Sequence, residues 1–297
     1  MAYSYNVNSL PDYVEQHREE LIAKSVLGAK SAYMFTLQTG VKGPTALNLI
    51  DSTIDFNPSE CGWEEAGSVA LSQRVLTPAA LQVQMGICDK NLLKKWANYL
   101  VRVEANKTDR DLPFEKEFTD TVIKQIKAGV EYCIWQGDAG GPNRFSAEFD
   151  GILTILASAS GVVNVTGTAG YDLIKKAYAA MPFVKEDAVI FVGEDMYRTY
   201  MQELVTANLY HYDPGMGENE SYLPGTMVKV VGVAGLNGTN KVVAGNLSNF
   251  FYGTNLEDGD EIFDLWYSKD NREFRFVVEF TAGVQVAFPN EIVLGTV

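Results

Sequence analysis

The sequence predicts an α+β fold built from unusually elongated elements, and three observations carry that expectation. First, the 16 residues from Glu273 to Phe288 alternate, with Phe274, Phe276, Val278, Phe280, Ala282, Val284, Val286 and Phe288 on one side and mostly polar or small residues on the other. Strands rarely exceed about 10 residues, and at roughly 3.3 Å per residue this run spans about 50 Å unless it bends at Ala282-Gly283. Second, Phe114, Phe118, Val122, Ile126, Val130 and Ile134 recur every fourth residue between Pro113 and Gly137, which reads as one straight helix about 35 Å long. Third, the stretch between these two carries the short buried-type strand Ala188–Val192 flanked by helical segments. Long elements of both kinds suit a shape that tiles with copies of itself better than one that encloses a substrate.

Taken in chain order, Ser9-Leu10-Pro11-Asp12 reads as a helix start, with Ser9 as N-cap, Pro11 in the first turn and Asp12 as an acidic cap partner. The helix runs to about Leu27 with Val14, Leu21, Ile22 and Leu27 as a narrow apolar stripe, so it suits an arm that packs on a neighbour. Gly40, Gly43 and Pro44 then break the chain before an extended segment, Leu47–Phe56. The turn-rich stretch Asn57–Ser68 and a second extended segment, Val69–Ile87, complete a long β-hairpin. Such a hairpin is not stable alone in water and must lie against something else. A short helix over Asp89–Val103 presents Leu92, Leu93, Trp96, Tyr99 and Leu100 on one face.

After the long helix, Gly137-Asp-Ala-Gly140-Gly141-Pro142 is a stop, leading through Phe145 and Phe149 to Gly151–Leu156. Two further helices follow, Ala169–Met181, halted by Pro182, and Glu194–Leu209. Strands are expected at Met227–Val233 and Lys241–Ala244, and Glu261–Tyr267 is the hairpin partner of the long alternating run.

The 297 residues are 46% hydrophobic, ample for a core of one large domain or two modest ones. No apolar run approaches the roughly 20 residues that cross a bilayer, and the start MAYSYNVNSLPDYVEQ has neither region of a signal peptide, so a soluble, non-exported chain is expected. The net charge of −14 is uneven: residues 1–150 carry 15 basic and 20 acidic groups, residues 151–297 carry 9 and 18. Such a surface repels phosphate backbones and argues against specific nucleic-acid binding, although a wall around nucleic acid tolerates it. Cys61, Cys88 and Cys133 are too few and too scattered for a disulfide framework or paired zinc ligands. With only His17 and His211, histidine-based catalysis has little material.

Each candidate for chemistry has a plainer reading. The loop GDAGGP lacks the Lys-Ser/Thr of a P-loop and follows a helix instead of a strand. The acidic group Glu257, Asp258, Asp260, Glu261 and Asp264 has no EF-hand spacing and reads as solvated charge. Asn164, Asn219, Asn237 and Asn246 sit in glycosylation triplets that mean little without a secretory route. Cys61 and Cys88 flank the hairpin and could bond across it or to a neighbour, or remain free thiols. No catalytic, cofactor-binding or metal-ligating residue is assigned, no cofactor is expected, and the chain is not read as an enzyme.

The order of these elements, together with FTDTVIKQIKAGVEYCIWQGD (Phe118–Asp138) before FDGILTIL (Phe149–Leu156), DAVIFVGEDMYRTYMQEL (Asp187–Leu204) and FRFVVEFTAGVQVAFPNEIV (Phe274–Val293), resembles the tailed-phage major capsid protein of the Hong Kong 97 type. The resemblance implies an N-terminal arm over residues 1–44 and an extended hairpin loop over 45–88. It implies a peripheral domain over 89–156 with spine helix 113–136, an inserted axial domain over 157–258, and peripheral return strands over 259–297. It further implies self-assembly into hexamers and pentamers of an icosahedral shell around double-stranded DNA held without specific binding. Portal, scaffold and decoration proteins are further partners it leaves room for. The location it implies is the virion capsid, with assembly in the host cytoplasm. Some members cross-link subunits through a lysine and an asparagine; no motif singles out Lys42 or Lys90, so that chemistry is not carried over. Two other classes stay open: an encapsulin-type nanocompartment that loads protein cargo, and a cytosolic α/β enzyme with an acidic surface.

Overall fold

The long alternating run forms one strand, β12 (Glu273–Val286), in a computed structural model that describes residues 14–56, 66–88, 114–141, 148–209, 215–255 and 262–297. Its even-numbered side chains from Phe274 to Val286 are buried, as the alternation requires. On one edge β12 pairs with β11 (Ile262–Ser268) and further along with β10 (Phe250–Thr254), and on the other edge with β4 (Ala79–Cys88), all antiparallel. Ala282 is opposite both Thr254 and Ala79, so β10 and β4 occupy opposite edges. β1 (Thr36–Gln38) runs parallel to β10 and completes a five-stranded sheet.

The expected bend at Ala282-Gly283 does not interrupt the strand. Gly283 answers a different demand: a Cβ there would sit 2.8 Å from Pro78 Cα and 3.0 Å from Thr77 O, so only glycine lets that corner pass. The same corner corrects the expected hairpin. Residues 69–87 are not one arm. β3 (Ser68–Leu76) pairs with β2 (Thr45–Thr53) as a separate two-stranded ribbon, whereas β4 belongs to the five-stranded sheet. Pro78 has no N–H to continue a ladder, so the chain changes partner there.

The face of β12 that carries Phe274, Phe276, Val278 and Phe280 packs with Val122, Ile123, Ile126 and Val130 of a long helix, α3 (Phe114–Gln136). Upstream of it lie α1 (Arg18–Val26) and α2 (Lys30–Met34). Val14, Leu21, Val26, Ala29 and Phe35 join this same core, and the Tyr252 hydroxyl donates to Val26 O at 3.2 Å. Residues 14–35 thus pack on their own chain, where the sparse apolar stripe suggested a neighbour. The helix start at Ser9, the turn 57–65 and the helix expected over 89–103 lie outside the described residues.

A six-stranded sheet runs in the order β5 (Val163–Thr166), β13 (Val293–Thr296), β9 (Lys241–Asn246), β6 (Ala188–Gly193), β8 (Lys229–Val233) and β7 (Glu220–Tyr222). Every residue of β6 is buried. Ile190 and Val192 pack with Leu173, Ile174 and Tyr200 of helices α5 (Tyr171–Ala180) and α6 (Glu194–Thr206). Val189 and Phe191 face the other way, where Trp135 lies 5.0 Å from Phe191 between ring centroids. Two covered faces explain an uninterrupted apolar run. A short helix, α4 (Ile152–Ser158), follows the glycine loop.

After β9 the chain crosses between the two large sheets twice more. Residues 250–254 lie inside the expected unit 157–258 yet pair with β12, and residues 293–296 lie inside 259–297 yet pair between β5 and β9. Asn249 stitches the crossings together: its side-chain amide donates to Phe288 O at 2.7 Å, its carbonyl oxygen accepts from Phe288 N at 2.6 Å, and its own backbone O accepts from Ala287 N at 3.0 Å.

Candidate assembly surface

The ribbon β2–β3 sorts its side chains into two unequal faces. Across the register, Leu47 is opposite Arg74 and Leu49 opposite Ser72, while Ile50 is opposite Leu71 and Ser52 opposite Val69. At the base, Leu47, Leu76 and Val41 form a small buried cluster with Phe251 against it. Leu76 fills the space over Gly253, where a Cβ would come 2.4 Å from its Cδ2. Two side-chain bonds bolt this base to the end of β12: the Arg74 guanidinium donates to Val286 O at 3.0 Å, and the Gln285 amide donates to Val75 O at 2.6 Å. Partial burial at this anchor lowers the pKa of Arg74.

Beyond the base no described residue covers the ribbon. Residues 50–53 and 68–73 are exposed whichever face they point to. The outward face presents Ile50, Val69, Leu71 and Val75, with Leu71 77% exposed, and the chain after β2 adds Ile54 and Phe56, the latter 96% exposed. Gln73 and Asn48, hydrogen-bonded at 2.8 Å, are the polar cross-strand pair among them. A contiguous apolar face of this kind on a bare two-stranded ribbon marks a surface that another molecule covers. The apolar content of the described ribbon is carried along its shaft.

The other residues singled out in the sequence are placed without forming a site. Gly137 ends α3 where a Cβ would meet Phe149 O at 2.4 Å, and Gly141 N donates to Asp138 O at 2.9 Å, so the described part of GDAGGP is a packed helix stop. Asp264 accepts from the N–H of Leu265 at 2.8 Å, and Glu257, Asp258, Asp260 and Glu261 lie outside the described residues. Cys88 lies exposed at the end of β4, and Cys61, Lys90 and His211 are outside the described residues. Lys42 is exposed. Asn246 is fully buried, which rules out a glycan there, and the Asn237 side chain accepts from Glu194 N at 2.7 Å to cap α6. Among the described residues there is no group of three His, Cys, Asp or Glu side chains that could hold a metal ion. An open groove of about 440 Å³ between β4 and α3 is lined mainly by apolar side chains such as Leu81, Val83, Ile126 and Val130.

No family model matches the sequence, and no curated relative does. Solved structures do match in fold. A chain of the satellite phage P4 procapsid that includes the size-determination protein aligns with a TM-score of 0.61 at 10% identity, covering 100% of this chain and 92% of that one. A chain of the capsid of an empty GTA particle aligns at 0.57 and 12% identity, covering 92% and 89%. The virus-like particle from Pyrococcus furiosus aligns at 0.51 and 9% identity, covering 93% and 96%. The α+β architecture described above is therefore the fold of these capsid and particle chains, over nearly the whole of each.

Proposed function

We propose that the chain is a major capsid protein of the Hong Kong 97 type, which self-assembles into the icosahedral shell of a tailed phage around double-stranded DNA. The observation that carries this reading is the apolar outer face of β2–β3, exposed on a chain whose fold over its full length is that of shell subunits. A ribbon anchored only at its base offers that face to a neighbouring copy. The contact joins two different surfaces of identical chains, and such head-to-tail contacts close into rings, which is what hexamers and pentamers are. Residues 14–44 form the arm side of the subunit, β2–β3 the extended loop, the five-stranded sheet with α3 the peripheral unit, and the six-stranded sheet the axial unit. The role is structural, not catalytic. The acidic surface holds packaged DNA without sequence-specific contacts, and portal, scaffold and decoration proteins are the further partners of a shell in the virion.

Negative-stain microscopy of the purified protein, with the nucleic-acid and protein content of any particles, tests the proposal. Closed shells that package DNA support it. Shells filled with protein cargo would favour the encapsulin reading, which the likeness to the Pyrococcus furiosus particle motivates. A stable monomer across salt and concentration would sink both and return the enzyme reading.

A further inference from the structure

Glu131 is a carboxylate with almost no access to water. It is 4% exposed and lies where three elements meet: α3, which carries it, the segment Ala29–Phe35 around α2, and the turn Ala234–Leu236. Ser31 N donates to its Oε2 at 2.9 Å, the Ser31 hydroxyl donates to Oε1, and the indole N–H of Trp135 lies 3.2 Å from Oε1 and 2.7 Å from Ser31 Oγ. From the third side Gly235 closes the junction, since a Cβ there would come 2.3 Å from Glu131 O and 2.4 Å from Trp135 Cδ1.

The charged and titratable surroundings are few. Lys30 attracts Glu131, but its ammonium is engaged by Glu218 O at 2.7 Å and by Glu220 Oε1 of β7 at 3.4 Å. Lys127, one turn earlier on α3, lies against Gly28. Cys133, also on α3, has its thiol pushed up to about 11 by burial. The turn Ala234–Leu236 brings no titratable side chain.

We propose that Glu131 is a proton-operated latch that grips the segment Ala29–Phe35 more firmly with a proton than without one. Burial raises its affinity for a proton above that of an ordinary carboxyl, against the opposing pull of Ser31, Trp135 and Lys30. When the segment lifts away, the carboxyl meets water and returns towards its ordinary value of 4.5. Linkage fixes the sign: the docked state binds the proton more tightly, so docking strengthens as pH falls through the raised value and the gain is complete below 4.5. As pH rises through the raised value, the gain is lost. The proton comes from solvent and binds the carboxyl group.

Hydrogen-exchange protection factors for the amides of residues 30–35 test the latch, followed from about pH 4 to about pH 9 in wild type and Glu131→Gln, with β6 as internal reference. The wild-type segment should gain roughly fivefold or more in protection on acidification relative to β6. The Glu131→Gln segment should be as protected at the higher pH as wild type is at the lower, with no pH dependence. Identical profiles for the two proteins, or a wild-type segment that loosens in acid, would overturn the proposal. Independently of any variant, the Trp135 indole N–H resonance of the wild type should titrate with a midpoint above 4.5; a midpoint at or below that value would overturn it equally.

Discussion

β3 and β6 each carry five apolar side chains and meet opposite fates. All six residues of β6 are buried, whereas seven of the nine in β3 are exposed. The difference lies in what the rest of the chain supplies. Around β6 it supplies Ile174 and Tyr200 on one face and Trp135 on the other, while beyond Leu49 and Ser72 no described residue covers the ribbon. An apolar pattern records that a strand needs a partner, and it does not say whether that partner belongs to the same molecule. One half of this protein answers its hydrophobic pattern internally; the described residues leave that of the ribbon unanswered.

Substitutions that separate the two halves should differ most in what they do to the isolated subunit. The largest loss is expected for Phe280→Asp, which buries an unpaired charge between β12 and α3 and should cost about 4 kcal/mol or more, a large share of the roughly 5–15 kcal/mol a domain has. Urea unfolding of the soluble chain measures it, and unchanged stability would mean that this face is open to water. Gly235→Ala comes next. Its methyl group meets backbone and an indole ring that cannot yield, so about 2–3 kcal/mol should be lost in the same assay.

Asn249→Ala strips Phe288 of both partners at the double crossing and should cost about 1–2 kcal/mol, with faster exchange of the Ala287 and Phe288 amides as the local sign. The smallest effect on folding is expected for the double change Ile50→Ser and Leu71→Ser, within about 0.5 kcal/mol of wild type because both side chains already face water. Size-exclusion chromatography should nevertheless show particle formation reduced tenfold or more. A subunit destabilised as strongly as by Phe280→Asp would mean that the ribbon answers to its own body after all.

The same contrast explains which parts of the architecture could be read from residues alone. Alternation from Phe274 to Val286 and the four-residue spacing from Val122 to Ile134 are local signals, and both elements formed where those signals put them. Partner choice is not local. Leu81, Val83 and Met85 alternate as well as any hairpin arm, and only Pro78 hinted that their ladder would be with β12 and not β2. β13 is four residues, VLGT, with no periodicity to find. The outward face of the ribbon was written in Ile50, Val69 and Leu71, but which face lacked cover depended on where the base was anchored. Glu131 carries no local signal of its own. Its neighbours Val130, Cys133, Ile134 and Trp135, which broaden the apolar stripe around it, were the available sign that it could not reach water.

The position of β13 sets an order of events for a growing chain. It is the last described strand to be synthesised, yet it lies inside a sheet between β5, with which it is parallel, and β9. Until it is made, β5 has no neighbour in that sheet and one side of β9 is open, and pairings so distant in sequence form slowly. A nascent chain can therefore present its ribbon long before its six-stranded sheet is closed. Completion of that sheet therefore waits on the last described strand.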